Sequence, residues 1–309
     1  MDKKNFIENC LASYISDNPR KFQQIFLEKF NTSFDDANLK MLNLELNAKK
    51  IILSNNETEN LNIPLISHKI WITNPSNICD IPMNVLKLME KNYENLSSNK
   101  KWKHFLWINV DINLLPDTNE ILKKYGVTPV KISKIINGDI GILINAFLNQ
   151  NMFPFASNLL RMVIINKYGG IYSDIGWILN RNIHQFFNKF EYIINGNKID
   201  KGIVSHNIIA CKKNNRLFTI LLTNVTIANI HNFYRKYKLS LLEMTGPRML
   251  TSLFSSQAYD SDKLLLLLCS PETFSGFHNE SWKKENPKFG VNGTLDSKKF
   301  EKDINFTLE

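Results

Sequence analysis

The run from Ala156 to Gly176 constrains this chain more than any other segment. Ala156, Leu159, Leu160, Val163, Ile164 and Tyr168 recur at three- and four-residue intervals, the apolar stripe of a helix over Ser157–Tyr168. Asn158 and Arg161, three apart, share the opposite face. Gly169-Gly170 then stops the helix, supplying a left-handed conformation that other residues resist. Ile171-Tyr172-Ser173 reads as a short strand and Asp174-Ile175-Gly176 as the turn after it. A helix handing over to a strand with a carboxylate at its tip is a unit of an α/β fold, where ligands bind beyond the strand ends.

The surrounding sequence keeps to that plan. Strand-like segments at Leu65–Thr73, Lys103–Asn109 and Val127–Ile132 alternate with helix-like ones at Met83–Tyr93 and Thr118–Tyr125, which predicts a largely parallel sheet. Trp71 and Asn109 stand at the ends of two of these strands and are candidates for lining a cleft. Gly202–Cys211 offers a strand pair or a strand and turn. Helices are expected at 216–230, 233–243 and Pro247–Phe254, and a strand at Leu264–Leu268. Residues 1–60 read as helices alone, with Phe22, Ile25, Phe26 and Phe30 at helical spacing. The expected division is therefore a helical appendage over 1–60, one α/β domain over 61–284 and a tail over 285–309.

Composition narrows the class further. No apolar run is long enough for a membrane-spanning helix, and none near the start has the length of a signal peptide. The four cysteines lie far apart with no paired spacing, which fits a reducing compartment and disfavours a zinc site. The expected location is the cytoplasm of a producing bacterium, or a host cell if the chain is exported by a specialised route. The net charge of +9 gathers between Lys198 and Lys238, where eight basic residues face Asp200 alone. Such a stretch, with the N-terminal helices, could meet an anionic membrane surface, although a solvated basic face is the plainer reading. No nucleic-acid motif accompanies the charge, so nucleic acid is not an expected partner.

The chemistry gathers where the helix meets the strand. Arg161 can pair with Asp174 or with a phosphate in a fixed fork geometry, and Asp174 can accept from hydroxyls or ligate a divalent cation. Residues alone leave a binding site and a structural ion pair both open. The run Ala156-Ser-Asn-Leu-Leu-Arg161 followed by Tyr168-Gly-Gly-Ile-Tyr172-Ser-Asp174 resembles the DXD region of sugar-binding glycosyltransferases. That group includes yeast-type initiating mannosyltransferases, the large clostridial glucosylating toxins and bacterial effector enzymes. His68-Lys-Ile-Trp71, Thr245-Gly-Pro247 and His278-Asn-Glu-Ser281-Trp282 resemble further family segments in the same order.

The resemblance implies a GT-A fold and transfer of a hexose or N-acetylhexosamine from a nucleoside diphosphate, UDP above all, to a hydroxyl. Retention of anomeric configuration is implied, with the leaving diphosphate taking the acceptor proton. Trp71 would stack on the base, Arg161 would contact sugar and phosphate, and Tyr172 would pack against the nucleotide. Asp174 would hold ribose or sugar hydroxyls, and Asn158 and Asn207 would lie near the donor sugar. Ser281 and Trp282 would reach the β-phosphate and the glycosidic oxygen, which puts Trp282 beside Arg161 and Asp174 as a catalytic candidate. Two departures bear on metal. Gly176 replaces the second aspartate of Asp-x-Asp, and Asn158 replaces an aspartate before the arginine. A Mn²⁺ or Mg²⁺ ion would then rest on Asp174 with His278, or Arg161 and other basic residues would serve in its place. The expected acceptor is a host protein if the chain is an effector. A polysaccharide-extending transferase and an inactive GT-A scaffold that binds a nucleotide sugar or a protein are the alternatives.

Overall fold

The computed structural model describes residues 61–97, 101–179, 186–196 and 204–216, with shorter pieces beyond that include strands at 264–268 and 274–276. The expected helices at 1–60, 233–243 and Pro247–Phe254 and the tail over 285–309 lie largely or wholly outside the described residues, as do His278, Ser281 and Trp282.

Seven strands form the main sheet in the order β3-β2-β1-β4-β7-β6-β8. They are β1 (Ile66–Trp71), β2 (Lys103–Ile108), β3 (Thr128–Lys131), β4 (Gly170–Ser173), β6 (Tyr192–Gly196), β7 (Val204–Cys211) and β8 (Leu264–Leu268). The pairs β1–β2, β2–β3, β1–β4 and β6–β8 run parallel, whereas β7 lies antiparallel to both β4 and β6. Two further strands, β5 (Trp177–Leu179) and β9 (Phe274–Gly276), pair antiparallel beside it. This is the mixed, mostly parallel sheet of a GT-A domain. Of the strand pair or strand and turn expected at Gly202–Cys211, the described residues hold one strand, β7, between β4 and β6.

Among the described residues, four full helices pack on the sheet: α1 (Met83–Ser97), α2 (Pro116–Tyr125), α3 (Gly138–Asn149) and α4 (Phe153–Tyr168). Period-two alternation sorts the strand side chains between the faces. Tyr172, Ile194 and Ile209 join the cluster under α3 and α4, while Ile171, Ile193, Ile208 and Ala210 join one on the other face with Trp177, Phe187 and Trp102. A third cluster packs α1 and α2 against Leu106 and Ile108 of β2. Asp80 caps α2 from outside, accepting from the backbone amides of Asp117 and Thr118 and from the Thr118 hydroxyl. Pro116 opens that helix, and Gly126 closes it at φ 63°.

The joint between α4 and β4 requires both its glycines. Gly169 has φ 68° and Gly170 φ 93°. A Cβ on Gly170 would fall 2.3 Å from the Ile66 carbonyl oxygen, and one on Gly169 would fall 2.7 Å from the Lys213 amide nitrogen. These positions therefore do more than end a helix: they let β4 close on β1 without a spacer.

His68 on β1 bridges the strand to that joint. Its Nδ1 accepts from the Trp107 indole at 3.2 Å and its Nε2 donates to the Gly169 carbonyl at 3.0 Å, which fixes a neutral tautomer. Burial lowers its pKa to about 4, against the pull of the Gly169 carbonyl.

Candidate active site

The parallel strands β1 to β4 end at one edge of the sheet, and the predicted site residues on them gather there. Asp174 follows β4 directly, with a third of its side chain exposed, and its Oδ1 lies 3.0 Å from Arg161 Nη1. The Tyr172 hydroxyl donates to the same oxygen at 2.6 Å. The guanidinium lies over the Tyr172 ring, 4.8 Å from its centre. Arg161 also donates to the Ser157 carbonyl at 3.3 Å and to the His206 carbonyl at 2.9 Å. Its fork is thus oriented by α4 below and β7 beside it, and it presents a fixed charge to the strand tip. Burial drives the Tyr172 phenol well above its ordinary pKa, so it stays a hydrogen-bond donor.

The helix face carrying Asn158 and Arg161 differs from the expectation. Both are buried, at 4% and 5% exposure, because β7 and Thr245 lie against that face of α4. Asn158 donates to the Thr245 hydroxyl at 3.3 Å, which ties the helix to the segment expected from its Thr-Gly-Pro resemblance. Arg161 reaches the site edge only through its pairing with Asp174. Asn207 is buried on β7, and its carbonyl accepts the Asp174 amide at 2.8 Å.

Trp71 and Asn109 belong to one neighbouring network. The half-buried Trp71 packs against the cluster under α1 and donates its indole N–H to the Cys79 carbonyl at 3.1 Å. Asn109 clasps the Thr73 backbone, accepting its amide at 3.1 Å and donating to its carbonyl at 2.7 Å. A groove of about 340 Å³ opens beside them at the ends of β2 and β3. Its walls include Asn109, Asn145 and Asn149 with Ile108, Leu148 and Phe153. Of the predicted site residues it takes Asn109 alone. Trp177 is buried in the core cluster behind β4.

Comparison with known proteins places this geometry. A family described as the glycosyltransferase sugar-binding region containing a DXD motif matches residues 9–197, more than half of the chain. The chain belongs to that glycosyltransferase family. Among solved structures, the PaToxG glycosyltransferase is 17% identical, with a TM-score of 0.52 over 96% of this chain and 94% of its own. The catalytic domain of alpha-toxin from Clostridium novyi is 12% identical, with a TM-score of 0.50 over 99% of this chain and 92% of its own. At these identities the likeness is one of fold. No curated protein matches in sequence.

In this glycosyltransferase the site has two features that sequence reasoning missed. Lys69, in the middle of β1, is fully buried, and its Nζ donates to Ser173 Oγ at 2.9 Å, the Asp174 carbonyl at 3.2 Å and the Trp177 carbonyl at 3.3 Å. Burial pushes its ammonium down to about 7 while Asp174 pulls it up. Two of the three acceptors are backbone carbonyls, which would use both N–H bonds of even a neutral amine, so Lys69 donates to this turn in either protonation state. The second feature is His206, whose Nδ1 sits 3.3 Å from Arg161 Nη1 and whose pKa burial and that guanidinium hold well below the ordinary value. The signal for Lys69 was slight, a lone charge inside a strand pattern, which by itself points to the surface. His206 offered none.

The donor set for a metal can be read from the same atoms. Asp174 Oδ1 is taken by Arg161 and Tyr172, and Gly176 contributes no side chain. One carboxylate oxygen is a sparse protein donor set, and a Mg²⁺ or Mn²⁺ ion there would depend on waters and the donor's phosphates for the rest of its shell. Among the described residues no three His, Cys, Asp or Glu side chains converge on a metal position. Of the two expected ligands Asp174 alone lies among the described residues, and the chemistry below is derived from this chain's own side chains. No helix among them is long and apolar enough to cross a membrane.

Proposed function

We propose that this glycosyltransferase takes a UDP-linked hexose or N-acetylhexosamine and transfers it, with retention, to a hydroxyl of a host protein. The observation that carries the reading is the convergence of Arg161, Tyr172 and Asp174 at an open strand tip. Asp174 keeps one carboxylate oxygen outside the Arg161 and Tyr172 pairing and a third of its side chain exposed, which suits ribose or sugar hydroxyls. Arg161 places a permanent positive charge beside it, where the diphosphate gathers negative charge as the glycosidic bond breaks. The groove at the ends of β2 and β3 lies on the same sheet edge. Its amides and apolar walls suit the nucleoside, and Trp71, which stands at the end of β1 outside the groove's lining, is the candidate to stack on the base. Asn158 and Asn207 brace this arrangement from α4 and β7. With no side-chain nucleophile assigned, the leaving diphosphate accepts the acceptor's proton on the face it departs from, and Ser281 and Trp282 are the candidates to contact it.

The test is hydrolysis of UDP-glucose and UDP-N-acetylglucosamine by the purified chain, with Asp174→Ala in parallel. Turnover by the unaltered chain and a loss of about 100-fold in the variant are expected. Undiminished turnover in Asp174→Ala would overturn the assignment of the site.

A further inference from the structure

Lysine is among the residues least often fully buried, yet Lys69 has no exposed surface. Burying an ammonium costs free energy that a linear apolar side chain of similar length would not. What the ammonium adds is directional. Its three acceptors belong to residues 173, 174 and 177, the two ends of one tight turn that also carries the bond from the Trp177 amide to the Asp174 carbonyl at 2.9 Å. Gly176 adds no side chain to that turn, whose other anchors are the Asp174 carboxylate, Ile175 packed on the cluster under α1 and Trp177 buried behind β4.

The strand register gives the grip its geometry. His68 pairs with Tyr172, so Lys69 stands beside Ser173 on the sheet face opposite Tyr172 and Arg161. Arg161 and Tyr172 hold the Asp174 carboxylate from the α4 side, and Lys69 holds its backbone from the other. We propose that Lys69 is a positioning residue for glycosyl transfer: it locks the Asp174–Trp177 turn and fixes the aim of the carboxylate without touching the donor. The inference rests on Asp174 being a donor-site residue.

Lys69→Met tests it by two measurements. Hydrogen exchange followed by mass spectrometry is expected to show the amides of residues 174–177 exchanging at least about tenfold faster, with those of β2 unchanged. Calorimetric titration with UDP is expected to show binding weakened about tenfold by Lys69→Met in the unaltered background but less than about twofold in Asp174→Ala. Equal weakening in both backgrounds would mean that Lys69 acts on the fold at large, and would overturn the inference. Wild-type exchange and wild-type UDP affinity in Lys69→Met would overturn it too, with the site reading intact. UDP binding indifferent to Asp174→Ala, or no UDP binding at all, would instead sink the donor-site reading, and the exchange data would still decide whether Lys69 locks the turn. If Lys69→Met does not fold, Ser173→Ala takes its place in both measurements, with about threefold effects expected and none counting against the proposal.

Discussion

Arg161 makes a different contact with each part of its guanidinium. Nη1 meets Asp174 and the His206 carbonyl, Nε meets the Ser157 carbonyl, and the plane lies over Tyr172. A lysine keeps the charge but not the fork or the stacked plane. Arg161→Lys should therefore lower UDP-sugar turnover by about 10- to 100-fold while the chain stays folded, checked by steady-state hydrolysis beside circular dichroism. The Arg161 and Asp174 pairing was legible in the sequence because helical spacing and a double glycine bring both residues to one strand tip. Lys69 was not, because a lysine read in isolation defaults to the surface and only the three-dimensional turn supplies its acceptors. Asn158 and Arg161 were placed on the correct helix face, but that face is buried by β7 and Thr245, which no local pattern announces.

Among the elements, the joint between α4 and β4 is the most exacting. Gly170→Ala would force a Cβ into the Ile66 carbonyl oxygen at a backbone angle that alanine resists. A loss of at least about 2 kcal/mol is expected, read as a lower urea midpoint with an unchanged slope. Strands β1 to β4 and helices α1, α2 and α4 follow the sequence pattern to within a few residues. Helix α3 escaped it: Gly138-Asp-Ile-Gly-Ile-Leu opens with two glycines, and the element is too apolar to show a polar face. Strands β5, β6 and β9 are short or irregular, and their existence depends on partners distant in the chain.

For the molecule as a whole, buried histidines set the response to acid. Burial lowers His68 and His104 to about 4, with Gly169 opposing the shift at His68 and Lys69 adding to it at His104. Their folded pKa lies below the unfolded 6.5. The stabilisation is therefore complete above about pH 6.5 and drains away as pH falls towards about 4. Urea midpoints measured across that range should be flat near neutrality and fall steadily on the acid side. A midpoint indifferent to pH between 6.5 and 4 would contradict the neutral network around His68. The GT-A architecture was legible from the alternation of strands and helices together with the DXD-like run. The antiparallel insertion of β7 between β4 and β6 was not, since strand order is a long-range property.

The seamless junction at Gly169-Gly170 has a consequence for how this chain can vary. The helix residue that carries the cation and the strand residue that carries the acid share a rigid hinge with no slack between them. Lengthening or shortening the peptide there by a single residue would swing every later side chain of the strand to the wrong side. Related sequences should therefore keep both glycines and the length of this stretch fixed, and an engineered insertion there should abolish donor recognition far more readily than one in the turn before Gly138.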